Sequence, residues 1–369
     1  CFPNALEAIE ALQCVVDFAG KAPKALYYLG NLWYDKRRYP TAIAAWERSS
    51  REDETFPTVW RNLSLAYFNK MNRPDEAVAL LEKAFRLDHT DARVLMELDQ
   101  LYKRLNRPHI ERLCFLEQHI DIVMTRDDLY LEYVTLLNQT GQYREAIRRI
   151  DQRKFHPWEG GEGKVPAQYQ LARLELAKEL INRKKYDDAL ALIDECYIYP
   201  THLGEGKLPG AQENDFNYYK AYILQQQGRL EEAHSLFVKA CSGNSQPAAA
   251  MYYNDQKPDK IFYQGLAYRK LGEEEKARSR FNQLITYGEE LLFDRFKMDY
   301  FAVSLPDLLI WEDDMDKKNR IHCNYLMALG HLGLGNRTKA EHFFDIAASM
   351  DNNHQGVQIH RKLMNTILS

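Results

Sequence analysis

None of the six cysteines falls in a CxxC spacing: Cys1, Cys14, Cys114, Cys196, Cys241 and Cys323 are scattered singly. That argues against a zinc knuckle and a disulfide framework, and for reduced, mostly buried thiols in a cytoplasmic setting. No apolar run approaches the roughly 20 residues that cross a bilayer, and no basic-then-apolar leader opens the chain, so no membrane partner is expected. Positive charge is not in excess either. With 49 Lys and Arg against 53 Asp and Glu the formal charge is −4, which lacks the basic footprint that nucleic-acid binding by counterion release requires. Signatures of catalysis are missing as well. The 11 histidines form no HExxH and no close His/Asp/Glu triad, GxSxG and GxxxxGK[ST] are absent, and no carboxylate pair stands out for glycoside hydrolysis. No catalytic residue, metal ligand or cofactor is assigned. A first residue of cysteine is also how a mature lipoprotein begins, but a flexible polar tether follows such an anchor. Here Asn4 reads as the N-cap of an amphipathic helix carrying Leu6, Ile9, Leu12 and Val16, so a cut from a longer polypeptide is the better reading.

What the chain has in abundance is periodicity. A Gly/Tyr…Ala…aromatic skeleton recurs, clearest as Leu29-Gly30-Asn31-Leu32-Trp33 followed by Tyr39, Ala42 and Trp46. The small residue closing each copy falls at Ala42, Ala77, Ala146, Ala189, Ala233, Ala277 and Ala340, with Arg112 in the slot between the second and third; the first intervals are 35, 35 and 34 residues. This is the period of the tetratricopeptide repeat, in which small residues let two helices approach and aromatics fill the space beside them. The spacing predicts helix pairs near 24–52, 57–88, 91–123, 127–154, 167–197, 213–241, 258–287 and 319–350. Gly141, Gly228, Gly272 and Gly335 stand where a left-handed residue ends the first helix of a pair. The fold class expected is all-α, a tetratricopeptide-repeat right-handed superhelical solenoid of about eight helix pairs without a sheet. It reads as a single array over 1–369: a cap or junction helix at 1–23, regular repeats at 24–154, repeats with inserted loops at 155–350 and a capping helix at 351–369. Arg112 and the Arg107-Pro108 turn mark the third copy as degenerate, which should loosen its crossing.

From the fourth copy onward the intervals stretch to 43, 44, 44 and 63 residues. The first insertion runs from Phe155 to Pro166 and the second from Pro200 to Pro209. Both contain Gly-Glu-Gly-Lys, an apolar residue and Pro, and they lie 43 residues apart, the Ala146 to Ala189 offset. Equivalent insertions in a solenoid stack on one edge, so Glu162, Lys164, Glu205 and Lys207 should form a paired polar cluster. The loops read either as rigid turns in which Glu pairs with Lys, or as a binding edge that also presents His156, Trp158, Glu159 and His202. Trp158 beside Glu159 would suit a sugar ring or a protein partner, although a Trp pinning its own loop competes. A third insertion, Ser242 to Pro258, adds Tyr252, Tyr253, Asn254 and Asp255. The largest, Tyr287 to Lys318, is apolar up to Trp311 and then acidic. It reads as an extended helix plus a segment packed back onto the array, or as a docking patch.

The stretches HPWEGGEGK, MYYNDQKPDKIFYQGLAYRKLG, FAVSLPDLLIWEDD and RIHCNYLMALGHLGLGN together resemble the C-terminal half of large bacterial proteins whose N-terminal half is a galactose-mutarotase-like β-sandwich. The resemblance covers essentially the whole chain and supplies no catalytic residues. It implies a parent protein concerned with carbohydrate in the bacterial cytoplasm, with this array as partner of the sandwich. Three functions follow as expectations: a non-catalytic scaffold docking the sandwich domain or another subunit; a carbohydrate-binding accessory region completing an active site, with an oligosaccharide as ligand; and a homodimerisation module.

Overall fold

Each pair of helices turns on a residue with left-handed backbone, and half of these residues are not glycine. Gly141, Gly228, Gly272 and Gly335 have φ of 78 to 79°, as their positions predict, and Arg37, Asn72, Asn106 and Lys184 occupy the same slot at φ of 52 to 58°. A side chain in this region costs about 1–2 kcal/mol, so the turn is imposed by packing of the helices it joins.

A computed structural model describes residues 4–250, 255–295 and 310–364. Helix α1 (Glu7–Phe18) precedes the pairs α2 (Pro23–Asp35) with α3 (Tyr39–Glu52), and α4 (Pro57–Met71) with α5 (Pro74–Leu87). Next come α6 (Ala92–Arg104), α7 (His109–Gln118) and the single turn α8 (Ile120–Val123), then α9 (Asp127–Gln139) with α10 (Tyr143–Asp151). The later pairs are α11 (Lys164–Asn182) with α12 (Tyr186–Cys196), α13 (Asn214–Gln226) with α14 (Leu230–Ala240), α15 (Pro258–Lys270) with α16 (Glu274–Leu291), and α17 (Met315–Gly333) with α18 (Arg337–Met350). Helix α19 (Gln355–Leu363) follows. No strand occurs among the described residues. The described residues are all-α, a succession of helix pairs of tetratricopeptide-repeat type.

The closing residues of the repeats are buried as their register requires: Ala42, Ala77, Ala146, Ala189, Ala277 and Ala340 are 0% exposed and Ala233 2%. A larger residue has no room at such crossings. At Gly265 a Cβ would lie 2.4 Å from the Phe281 ring.

Several boundaries differ from expectation. Helix α1 begins at Glu7 with Leu6 at its cap, and Asn4 caps nothing. Lys164, Val165 and Pro166 are the first turn of α11, where Pro needs no amide donor, and α17 starts at Met315, four residues early. Cys14 and Cys114 are exposed, leaving Cys196 and Cys323 as the buried thiols among the described residues. Arg112 is buried where a small residue was expected, and donates to Glu132 Oε1 at 2.8 Å and Asn353 Oδ1 at 2.7 Å.

The chain divides into two compact units. The first comprises residues 4–107, 114–129 and 310–312; the second comprises 108–113, the described part of 130–295, and 313–364. In the second unit one apolar cluster runs from Tyr143 to Met364, with Val357 and Leu363 of α19 in it. Polar contacts carry α19 and the turn before it across several helices. Gln355 bonds Gln168, Gln358 bonds His109, Lys362 donates to the Tyr143 hydroxyl at 3.1 Å, and Gln139 donates to the Asn353 carbonyl.

Candidate functional site

The three insertions of the second unit lie together and are tied by one main-chain bond and by bonds between side chains and main-chain groups. The Phe155 amide donates to the His202 carbonyl at 2.8 Å, and the Gly163 amide donates to Glu205 Oε2 at 2.7 Å. Gly163 is the residue before α11, so Glu205 of one insertion caps a helix that begins in the other. Burial raises the Glu205 carboxyl above its ordinary value, opposed by the Gly163 bond. Gln212 joins the second insertion to the third, its Nε2 donating to the Asp255 carbonyl at 3.0 Å and its Oε1 accepting from the Lys257 amide at 3.1 Å. Further amides pin the third insertion: Gln264 donates to the carbonyls of Ser242 and Asn244, and His322 Nε2 meets the Ala248 carbonyl at 2.8 Å. Burial lowers the His322 imidazole to about 4.

Glu162 stands near enough to Glu205 to raise its carboxyl further, and the other charges of the expected cluster have partners of their own. Glu205 is spent on a backbone amide, Lys207 pairs with Glu213 and donates to the Tyr197 carbonyl, and Lys164 belongs to α11. Trp158 is half-buried against its own loop: a Cβ on Gly161 would meet its indole at 2.3 Å, so this glycine is the seat of the ring. One side of the indole is therefore taken up by its own loop. His156, Glu159 and Glu162 are exposed, and His202 is half-buried, 3.8 Å from Asp151. Asp255 is half-buried; Tyr252, Tyr253 and Asn254 lie outside the described residues.

Two apolar side chains absent from the expected set stand on this edge, Ile198 at 60% exposure and Leu208 at 46%. Leu208 is the apolar residue after Gly-Glu-Gly-Lys, and its partner by repeat offset, Val165, is buried; that asymmetry is visible only in three dimensions. Beside the edge a cavity of about 470 Å³ is lined by Tyr197, Glu213, Asn217, Lys220, Leu236, Lys239 and Ser242. No group of three or more potential metal ligands occurs among the described residues, and no described helix is long and apolar enough to cross a membrane.

Two further constellations lay outside the sequence reading. Within the second unit, Lys178 donates to Glu175 at 2.5 Å and Lys260 forms an ion pair with Asp215 at 2.5 Å, all four nearly buried. His360 of α19 adjoins them, its Nδ1 3.0 Å from the Tyr325 hydroxyl and 2.8 Å from the Gly356 carbonyl; its Nε2 is buried without a hydrogen-bond partner. Within the first unit, Ile310, Trp311 and Glu312 lie against α4 and α6. Trp311 is 1% exposed, so part of the largest insertion does pack back onto the array.

Residues 57–91 match one tetratricopeptide-repeat family model and residues 261–287 another. Among solved structures the chain is similar to Naa15/Naa10 bound to HypK-THB, at 13% identity over 97% of this chain and 63% of that one, with a TM-score of 0.43. It thus spans less than two thirds of that protein's length. It is also similar to a tetratricopeptide repeat protein from Parabacteroides merdae ATCC 43184, at 14% identity over 71% of this chain and 91% of that one, TM-score 0.38. Pseudomonas aeruginosa pilF matches at 14% identity over 72% and 91%, TM-score 0.24.

Proposed function

We propose that this chain is a non-catalytic protein-interaction scaffold whose insertion edge docks a folded domain, the galactose-mutarotase-like sandwich of the parent protein that its loops resemble. The scaffold role rests on the repeats themselves. The finer reading rests on one observation: the three insertions are held to one another by bonds from the Glu205 and Gln212 side chains to main-chain groups, and Ile198, Leu208, Glu159 and Glu162 are exposed on them and beside them. Exposed apolar residues rimmed by carboxylates suit a protein surface better than a sugar ring. Trp158, the aromatic that would suit a sugar ring, is packed on Gly161 of its own loop.

Titration calorimetry of the chain against the sandwich domain and against an oligosaccharide panel tests this. Leu208→Glu and Ile198→Glu should weaken binding to the sandwich at least tenfold, about 1.4 kcal/mol, with the melting temperature unchanged. Sandwich affinity unaltered by both changes rules out the docking edge. Heat evolved with an oligosaccharide and abolished by Trp158→Ala would favour the accessory-site reading instead.

A further inference from the structure

We propose that the α4/α6 face of the first unit is a recognition site for a short apolar–Trp–Glu segment of a partner protein, held in this chain by its own residues 310–312. The contacts have the form by which a binding site reads a peptide. Asn69 clasps the main chain on both sides of the anchor: its Nδ2 donates to the Ile310 carbonyl at 2.8 Å, and its Oδ1 accepts from the Glu312 amide at 3.0 Å. Arg104 donates to the Trp311 carbonyl at 3.1 Å. These bonds hold the main chain of a segment that bends at Ile310 and Trp311, whatever its side chains.

Side-chain recognition sits between them. The Trp311 ring meets Phe68 edge to face, centroids 5.2 Å apart, and its Nε1 donates to the Glu97 carbonyl at 3.1 Å. A buried indole with its one donor satisfied is the usual anchor of a peptide interface. The next position is read by charge, since Lys70 pairs with Glu312. The buried Glu97 carboxylate would repel that acid, but Arg61 and Arg93 hold it in ion pairs at 2.6 and 2.8 Å. Every determinant lies within three consecutive residues, so another chain can supply them all. The contacts of α19, by contrast, are spread from Asn353 to Lys362 and over several helices. Being tethered, residues 310–312 compete at high effective concentration, so a partner binds the intact chain weakly unless they are released.

The probe is a labelled peptide of sequence LLIWEDD, residues 308–314. Trp311→Ala should expose the site, and this variant should bind the peptide at least tenfold more tightly than the unaltered chain. Adding Asn69→Ala, or replacing Trp by Ala in the peptide, should abolish that gain. Lys70→Glu supplies an independent readout on a fold that keeps its anchor: it should prefer LLIWKDD over LLIWEDD at least tenfold. A Trp311→Ala variant with unchanged circular dichroism that binds no peptide overturns the proposal. If that variant does not fold, failure of Lys70→Glu to reverse the preference overturns it. A native dimer that Trp311→Ala dissolves would give the site to a second copy of this chain, and the partner reading fails.

Discussion

In the first unit Lys70 meets Glu312 with side chains 21% and 50% exposed; in the second Lys260 meets Asp215 with side chains 10% and 8% exposed. The chemistry of the two pairs is the same and their energetics differ. A solvated pair contributes about 0–1 kcal/mol, because water replaces each partner when it breaks. A buried pair has already lost its hydration, so removing one member strands the other. The first arrangement permits a segment to dock and leave. The second makes the interior around α19 part of the core: burial pushes the Lys260 ammonium down, while Asp215 and Asp259 more than reverse that and hold it above its ordinary value.

The sharpest way to break the comparison is to truncate both lysines. Lys260→Met should cost about 3–5 kcal/mol and Lys70→Met less than about 1 kcal/mol, read from urea unfolding. Equal losses would mean the buried pair is better hydrated than its burial implies.

Acid should act on the second unit almost as strongly. His360 faces Asp259 of α15, Lys178 of α11, Asp215 of α13 and Tyr325 of α17, and burial lowers its imidazole to about 4. The unfolded imidazole titrates near 6.5, so between pH 6.5 and 4 the unfolded chain takes a proton that the folded chain refuses. This contribution is complete above 6.5, shrinks as pH falls through that window and changes no further below 4. It amounts to about 3 kcal/mol. His322 titrates in the same window, so the difference between the native chain and His360→Gln isolates the α19 share; identical pH profiles would contradict it.

A smaller effect tests the repeat register that both units share. Ala277 is 0% exposed, and Ala277→Leu should overpack its crossing by about 1–3 kcal/mol. An unchanged melt would mean that the closing alanine does not set the helix separation.

That register was the legible part of the sequence, because a small residue at each helix crossing is a local requirement, whereas the left-handed turn residue is glycine in only half of the pairs. The apposition of the two Gly-Glu-Gly-Lys insertions was legible for a similar reason, equal offset from equivalent alanines. What they do with their charges was not, since Glu205 finds a backbone amide 42 residues away and Lys207 turns to Glu213. The buried ion pairs were invisible among 53 carboxylates that read as solvated faces. Trp311 and Asn69 stand more than 240 residues apart. The sequence marked the apolar-to-acidic stretch as unusual without any signal for its receptor, and residues 351–369 read as a capping helix without any signal for the contacts of α19 with Gln168 and Tyr143.

The most direct measurement of the contrast between a docked segment and an integrated helix is native-state hydrogen exchange resolved to single amides. The Glu312 amide, bonded to Asn69, should exchange through local release, orders of magnitude faster than the core of α4 that holds it. The amides of α19 should exchange only as slowly as those of α13 and α15, through loss of the second unit as a whole. Rapid exchange throughout α19, or a Glu312 amide protected like the core of α4, would contradict the assignment of these two regions.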